Sequence, residues 1–199
     1  MAGETTRPRD ATRWIETSRG ILSYTQLAPL LAERVLRVQQ RLEAETYADL
    51  PLDDELIRRL HGNFCGDLVP DWGGRWRSIE VQVGSHQPPA PHLVPQLMRD
   101  YAGNLQARLA DPPDPDLMPE HPAYAEGRLL TIHPFRDFNG RLARLWLWEI
   151  LRRLGLPPVE LAPARPPDIE SYLTALRACD AGNLRPLSIL WLDRLAHTA

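Results

Sequence analysis

The stretch from Thr131 to Arg144 reads T-I-H-P-F-R-D-F-N-G-R-L-A-R. A helix arriving from Pro122 is expected to end near Ile132. His133 to Gly140 is a short loop rich in turn formers, and a second helix starts at about Arg141. Backbone N–H groups of such a loop, leading into a helix N-terminus, form a concave anion site. Arg141 and Arg144 stand three residues apart, on one face of the first turn. Two cations at that end oppose the helix dipole, and a bound polyanion explains them best. Asp137 supplies a hard oxygen suited to Mg²⁺ shared with phosphates. His133 at the loop mouth can accept a proton near neutral pH. Together these groups describe a nucleotide triphosphate site with a base beside it. The competing reading is a capped helix with surface arginines and an incidental histidine.

Outward from this stretch, helical periodicity dominates. The helix after the loop runs to Leu154 and carries Leu142, Leu145, Trp146, Leu147, Trp148, Ile150 and Leu151 around most of its circumference. A helix apolar on nearly all sides is a central one. Leu27, Leu31, Val35, Val38 and Leu42 predict a helix capped at Thr25 and ending near Glu45, with Pro29 in its first turn. Asp53 caps another, with Leu56, Leu60 and Phe64 on one face; further helices are expected over His92–Leu109, Asp168–Cys179 and Pro186–His197. Asp111–Pro122, with its many prolines, reads as loop. Thr12–Arg19 reads as a short helix capped by Thr12 and stopped by Gly20. Ile79, Val81 and Val83 alternate with polar residues and predict a strand ended by Gly84. The fold class is all-α, about eight helices with a small β-hairpin.

Length and charge agree. One domain with an N-terminal arm suits 199 residues, and a net charge of −3 gives no basic excess for nucleic acid. Every basic residue is Arg, which excludes lysine nucleophiles. Cys65 and Cys179 are far apart and the histidines show no ligand spacing, so a reducing, cytoplasmic setting without structural zinc is expected. The N-terminus has no signal-peptide pattern and no stretch is long and apolar enough to span a membrane.

His133-Pro-Phe-Arg-Asp-Phe-Asn-Gly-Arg-Leu-Ala-Arg144 resembles the signature H-P-F-x-[D/E]-[G/A]-N-[G/K]-R-x-x-R of the Fic (Fic/Doc, Fido-domain) family. Leu60-His61, Gly73-Gly74-Arg75-Trp76-Arg77, Val81-Gln82-Val83-Gly84, Pro88-Pro89 and Val94-Pro95 resemble the segment before that signature, which forms the family's flap hairpin. Tyr172-Leu173 to Pro186-Leu187 resembles the end of the core. The resemblance implies a Fic-type helical fold over residues 23–199 and a protein adenylyltransferase that moves AMP from ATP to a Ser, Thr or Tyr hydroxyl. It implies that His133 is the base, Asp137 the Mg²⁺ ligand, Asn139, Gly140 and Arg141 the holders of the transferred phosphate, and Arg144 the holder of the terminal one. Phe135 would pack inward, and Ile79, Val81 and Val83 would dock the target as an added strand.

Phe138 departs from the signature at a position of the phosphate nest, where the family has Gly or Ala; it would either turn outward or crowd the nucleotide. Glu126 stands seven residues before His133, where many relatives carry another His. Thr12-Arg-Trp-Ile-Glu16-Thr resembles the family's inhibitory motif [S/T]-x-x-x-E-[G/N], departing at Thr17. In that reading residues 1–22 are an arm whose Glu16 pairs with Arg144 and holds the enzyme down. The implied partners are Mg²⁺, ATP, a protein substrate, the chain itself through self-modification, and a second copy in a homodimer; neither nucleic acid nor membrane is expected. The alternatives are a Fic-fold transferase of UMP, phosphate or phosphocholine, and a catalytically silent toxin–antitoxin or interaction module, favoured by Phe138.

Overall fold

A computed structural model describes residues 13–110, 117–161, 163 and 167–197. Two short strands, β1 (Trp14–Thr17) and β2 (Gly20–Ser23), come first. Seven helices follow among the described residues: α1 (Tyr24–Glu43), α2 (Asp54–Cys65), α3 (Val94–Ala110), α4 (Glu120–Ile132), α5 (Asn139–Arg153), α6 (Asp168–Asp180) and α7 (Arg185–Ala196). A 3₁₀ turn, Pro91–Leu93, leads into α3. None of these helices is long and apolar enough to cross a membrane.

Helices α4 and α5 form the centre. α4 packs on α3, α5, α6 and α7, while α5 packs on α1, α2 and α4. The all-round apolar pattern of α5 is borne out: Leu142, Leu145, Trp146, Leu147, Ile150 and Leu151 are all buried. The indole of Trp146 donates to the Tyr101 hydroxyl at 2.7 Å, which donates to the Ala125 carbonyl at 2.8 Å, so one buried chain of hydrogen bonds ties α5, α3 and α4. Burying both aromatic groups requires such partners for their polar atoms.

Several boundaries differ from the expected ones. Ser23, not Thr25, caps α1, in a reciprocal capping box with Gln26. Pro29 therefore lies in the second turn, where its missing N–H costs an intrahelical hydrogen bond. α4 starts at Glu120 and α5 at Asn139, each two residues early. Of the loop expected over 111–122, residues 111–116 lie outside the described residues.

The largest correction concerns the arm. Residues 14–17 are a strand, not part of a helix, and pair antiparallel with 20–23. Trp, Ile and Thr favour extended backbone, and Gly20 at φ +93° completes the reversal. Ile15 is buried in the core. Ser18 at the hairpin tip donates its amide to Leu68 O at 2.8 Å and its hydroxyl to Asp67 O at 2.7 Å. These non-local anchors outweigh the short helical pattern read over Thr12–Arg19.

The expected strand at 79–83 is also corrected. Its residues join no sheet; among them only Val83 exchanges backbone hydrogen bonds, with His86 around a Gly84-Ser85 turn. The returning chain is Gln87-Pro88-Pro89-Ala90, and prolines have no N–H to give to a ladder.

Replacing Trp146 by Phe removes the indole donor from a buried hydrogen-bond chain. Urea denaturation should show a loss of about 1–3 kcal/mol; an unchanged midpoint would mean that this chain does not join the three helices.

Candidate active site

The α4–α5 junction is a reversal held at both ends in left-handed backbone. His133 is the C-cap of α4 at φ 50°, and Phe138 precedes α5 at φ 65°. Such residues are costly unless their surroundings fix them. Asn139 does part of that fixing. It is buried; its Oδ1 accepts from Phe135 N at 3.0 Å and its Nδ2 donates to Phe135 O at 2.9 Å. The amide of Asn139 is thus a brace inside the loop, with one of the two Nδ2 hydrogens used in it.

The second brace is His61, on α2. It is fully buried and stacks on Phe135 with ring centroids 3.8 Å apart. Gly74 N donates to its Nδ1 at 2.9 Å, so Nε2 carries the proton and donates to Asp137 O at 3.0 Å. Gly74 sits at φ +71°, and an added Cβ would stand 3.1 Å from Arg58 O, so glycine is needed for that donation. Burial pushes the His61 pKa down to about 4. The grip of His61 on the loop was not legible in the sequence.

Phe138 does not turn outward. Its ring is buried against Trp72, with centroids 5.3 Å apart, and near His61 and Phe64. Its amide donates to its neighbour's Asp137 Oδ1 at 2.8 Å. The positive φ supplies a backbone reason for Gly at this position in the signature, and ring burial offsets its absence here. Phe135 packs inward as expected, also against Trp76.

His133 is half-buried. Its Nδ1 lies 3.4 Å from Leu130 O, which favours the tautomer with a bare Nε2. Burial first, then the charges of Arg77 and Arg13, hold its pKa down at about 4, so the imidazole is neutral and ready to accept a proton. Asp137 is largely buried, and that burial raises its pKa against the opposing pull of Arg13, the Phe138 amide and Arg141. Its Oδ2 accepts no aligned hydrogen bond and faces the Arg13 guanidinium at 2.7 Å. A buried carboxylate oxygen already matched to a cation suits a metal ligand. Among the described residues no three His, Cys, Asp or Glu groups cluster, so any ion here would need ligands from a bound molecule.

No side chain caps α5, and Gly140 at its first turn is exposed, with open space where a Cβ would stand. Arg141 donates to the Tyr24 hydroxyl at 2.5 Å and lies over the Tyr24 and Phe138 rings. Arg144 is exposed and, among the described residues, forms no ion pair. Glu16 points to solvent from β1, so the expected Glu16–Arg144 contact is not made. Thr12 lies outside the described residues. Arg13 of the arm and Tyr24, the first residue of α1, reach the site instead, and neither was singled out in the sequence.

With this geometry in place, the comparisons are direct. A profile described as Fic/DOC family matches residues 51–151, just over half of the chain. The chain belongs to the Fic/DOC family. It is 31% identical over 185 residues to protein adenylyltransferase Fic of Nematostella vectensis, covering 91% of this chain and 40% of that one. It is 33% identical over 145 residues to protein adenylyltransferase fic-1 of Caenorhabditis elegans, covering 73% and 27%. The chain thus spans well under half the length of these curated relatives. Fic-1 from C. elegans is similar in structure, with a TM-score of 0.63 at 26% identity over 85% of this chain and 48% of that one. The Bartonella tribocorum BepC protein with bound AMPPNP shares the fold, with a TM-score of 0.71 at 16% identity over 93% of each chain. Glu126, at the position where many Fic relatives have His, is buried and accepts from Tyr172, Trp191 and Arg194, joining α4, α6 and α7.

His61 and His133 both have pKa values depressed to about 4 in the folded chain, against about 6.5 when unfolded. Between those values the unfolded chain binds more protons, so stability should fall as pH drops from 6.5 toward 4. Denaturant midpoints measured across that window check this; a flat profile would mean that neither histidine is held neutral.

Proposed function

We infer that the chain is a protein adenylyltransferase, transferring AMP from ATP to a Ser, Thr or Tyr hydroxyl. The observation that carries this reading is the neutral His133, fixed by the left-handed end of α4 beside the uncapped, cation-flanked start of α5. The family and the printed names of its relatives support it.

In this reading Nε2 of His133 takes the proton of the target hydroxyl as its oxygen attacks the α-phosphorus. The bond to the bridging oxygen breaks and pyrophosphate leaves. The first-turn amide at Gly140 and the guanidinium of Arg141 receive the charge that develops on the α-phosphate. Arg144, exposed and without an ion-pair partner among the described residues, holds the terminal phosphate. Asp137 would hold Mg²⁺ through Oδ2, and the bound ion would neutralise phosphate oxygens. Ile79 and Val83, exposed on the flap, and half-buried Val81 offer an extended target a partner for strand addition. Burial of the Phe138 ring against Trp72 supports an active site over a silent one. Two buried, unpaired cysteines suit a reducing cytoplasm.

The resting state of this reading is set by Arg13 and Tyr24. Arg13 occupies the Asp137 oxygen needed for the metal, and Tyr24 engages Arg141. Arg13→Ala should tighten Mg²⁺ binding in calorimetric titration with ATP and raise self-labelling, whereas Glu16→Gly should change neither; the reverse pattern would restore Glu16 as the inhibitor.

The reading itself is tested with ATP labelled at the α- or γ-phosphate. Wild-type protein should acquire only the α-label. His133→Ala should lose the label by at least ~100-fold while still binding nucleotide, because a general base acts on the chemical step. Acquisition of γ-label would point to phosphate transfer instead.

A further inference from the structure

Arg77 lies just before the flap and is almost completely buried. Among the described residues no carboxylate lies within ion-pair distance of it. Its charge is met by carbonyl oxygens instead. Nε donates to His133 O at 2.8 Å, Nη1 to Ile79 O at 3.2 Å, and Nη2 to both Pro89 O and Ile132 O. Its own amide donates to Pro134 O at 2.9 Å. Ile79 and Pro89 are the outgoing and returning stems of the flap. Ile132 and His133 are the last turn of α4, whose carbonyls have no intrahelical donor. One planar guanidinium therefore joins both stems of the flap to the backbone of the residue assigned as base. A cation at a helix C-terminus is also favoured by the dipole.

The far end of the flap is fastened independently. His86, across the Gly84-Ser85 turn from Val83, donates from Nε2 to Thr131 O at 2.8 Å, and its Nδ1 lies 3.4 Å from Asp180 Oδ2. Asp180 in turn accepts from the Thr131 hydroxyl at 3.1 Å. The flap has almost no ladder of its own, as its single Val83–His86 pairing shows. Its position over α4 rests on these side chains.

We propose that Arg77 is a positioning residue that makes the flap and His133 one rigid unit, with His86 latching the flap's tip. This rests on the adenylyltransferase reading of the site. A target strand laid on this flap presents its hydroxyl to Nε2 at a distance set by Arg77, because the same guanidinium fixes the carbonyls of Ile79, Pro89 and His133. Lysine cannot replace it: a single ammonium cannot reach four carbonyls in a planar fork.

The test compares wild type with Arg77→Lys, His86→Ala and His86→Gln, using hydrogen–deuterium exchange, Mg·ATP titration and self-labelling by α-labelled ATP. Loss of these hydrogen bonds should speed exchange of the Val83 and His86 amides about tenfold or more, while amides within α5 stay protected. The labelling rate of Arg77→Lys should fall by about 100-fold through misplacement of the attacking group, with the ATP dissociation constant unchanged within about twofold. His86→Gln, whose amide can still donate to Thr131, should recover most of what His86→Ala loses. His86 is partly exposed, so its variants test the idea even if Arg77→Lys fails to fold. Unaltered flap exchange in the folded variants overturns the inference, as does faster exchange with unaltered labelling. A wild-type protein that binds no ATP and takes no label overturns the adenylyltransferase reading instead, and with it the catalytic half of the inference.

Discussion

Everything in this molecule that bears on chemistry depends on how the chain reverses between α4 and α5. His133 and Phe138 both adopt left-handed backbone, and neither is a glycine. Two such residues in one short loop are stable only where neighbours hold them. Three buried side chains do so: Asn139 clamps Phe135, His61 supports the Asp137 carbonyl, and Arg77 binds the His133 carbonyl. The strain is spent on geometry. It sets a neutral imidazole at one end of the loop and an uncapped helix N-terminus at the other.

This arrangement also explains the electrostatics. Arg13 and Arg141 act on the Asp137 carboxylate, while Arg77 lies behind His133 and Arg144 farther along α5. Arg77 is satisfied by carbonyls and Arg13 by Asp137, while Arg141 leans on Tyr24 and Arg144 faces solvent. A polyanion entering at the α5 N-terminus would meet cations already in place, and a metal entering with it would compete with Arg13 alone. The two arm contacts come from residues flanking the hairpin, Arg13 before β1 and Tyr24 after β2. Tyr24 N also donates to Arg13 O at 2.7 Å, so the arm closes on the site as one piece.

The sequence made the motif and the helices legible because both are local signals. A strong apolar period identified α5 as central, and the motif placed the loop that runs from His133 into α5. Residues whose partners are distant in sequence were not legible. Trp14-Ile-Glu-Thr17 is too short for periodicity to separate strand from helix; its strand state is decided by Ile15 in the core and Ser18 against residues 67–68. Arg13 and Arg77 are ordinary arginines until the fold delivers a carboxylate to one and four carbonyls to the other. The brace from Asn139 to Phe135 was not legible because the motif names the residue but not the direction of its side chain. The flap's alternation predicted a strand, but the prolines at 88 and 89 deny it a partner.

The central claim is that one loop places base, metal ligand and anion nest around the α-phosphate of ATP, with Arg13 displaced when nucleotide and metal enter. A crystal structure with Mn²⁺ and a non-hydrolysable ATP analogue tests it most directly. The account predicts an anomalous peak on Asp137 Oδ2, the α-phosphate at the Gly140 amide on the His133 side, and the Arg13–Asp137 pair broken. Nucleotide bound elsewhere, or bound with that pair intact, would contradict it.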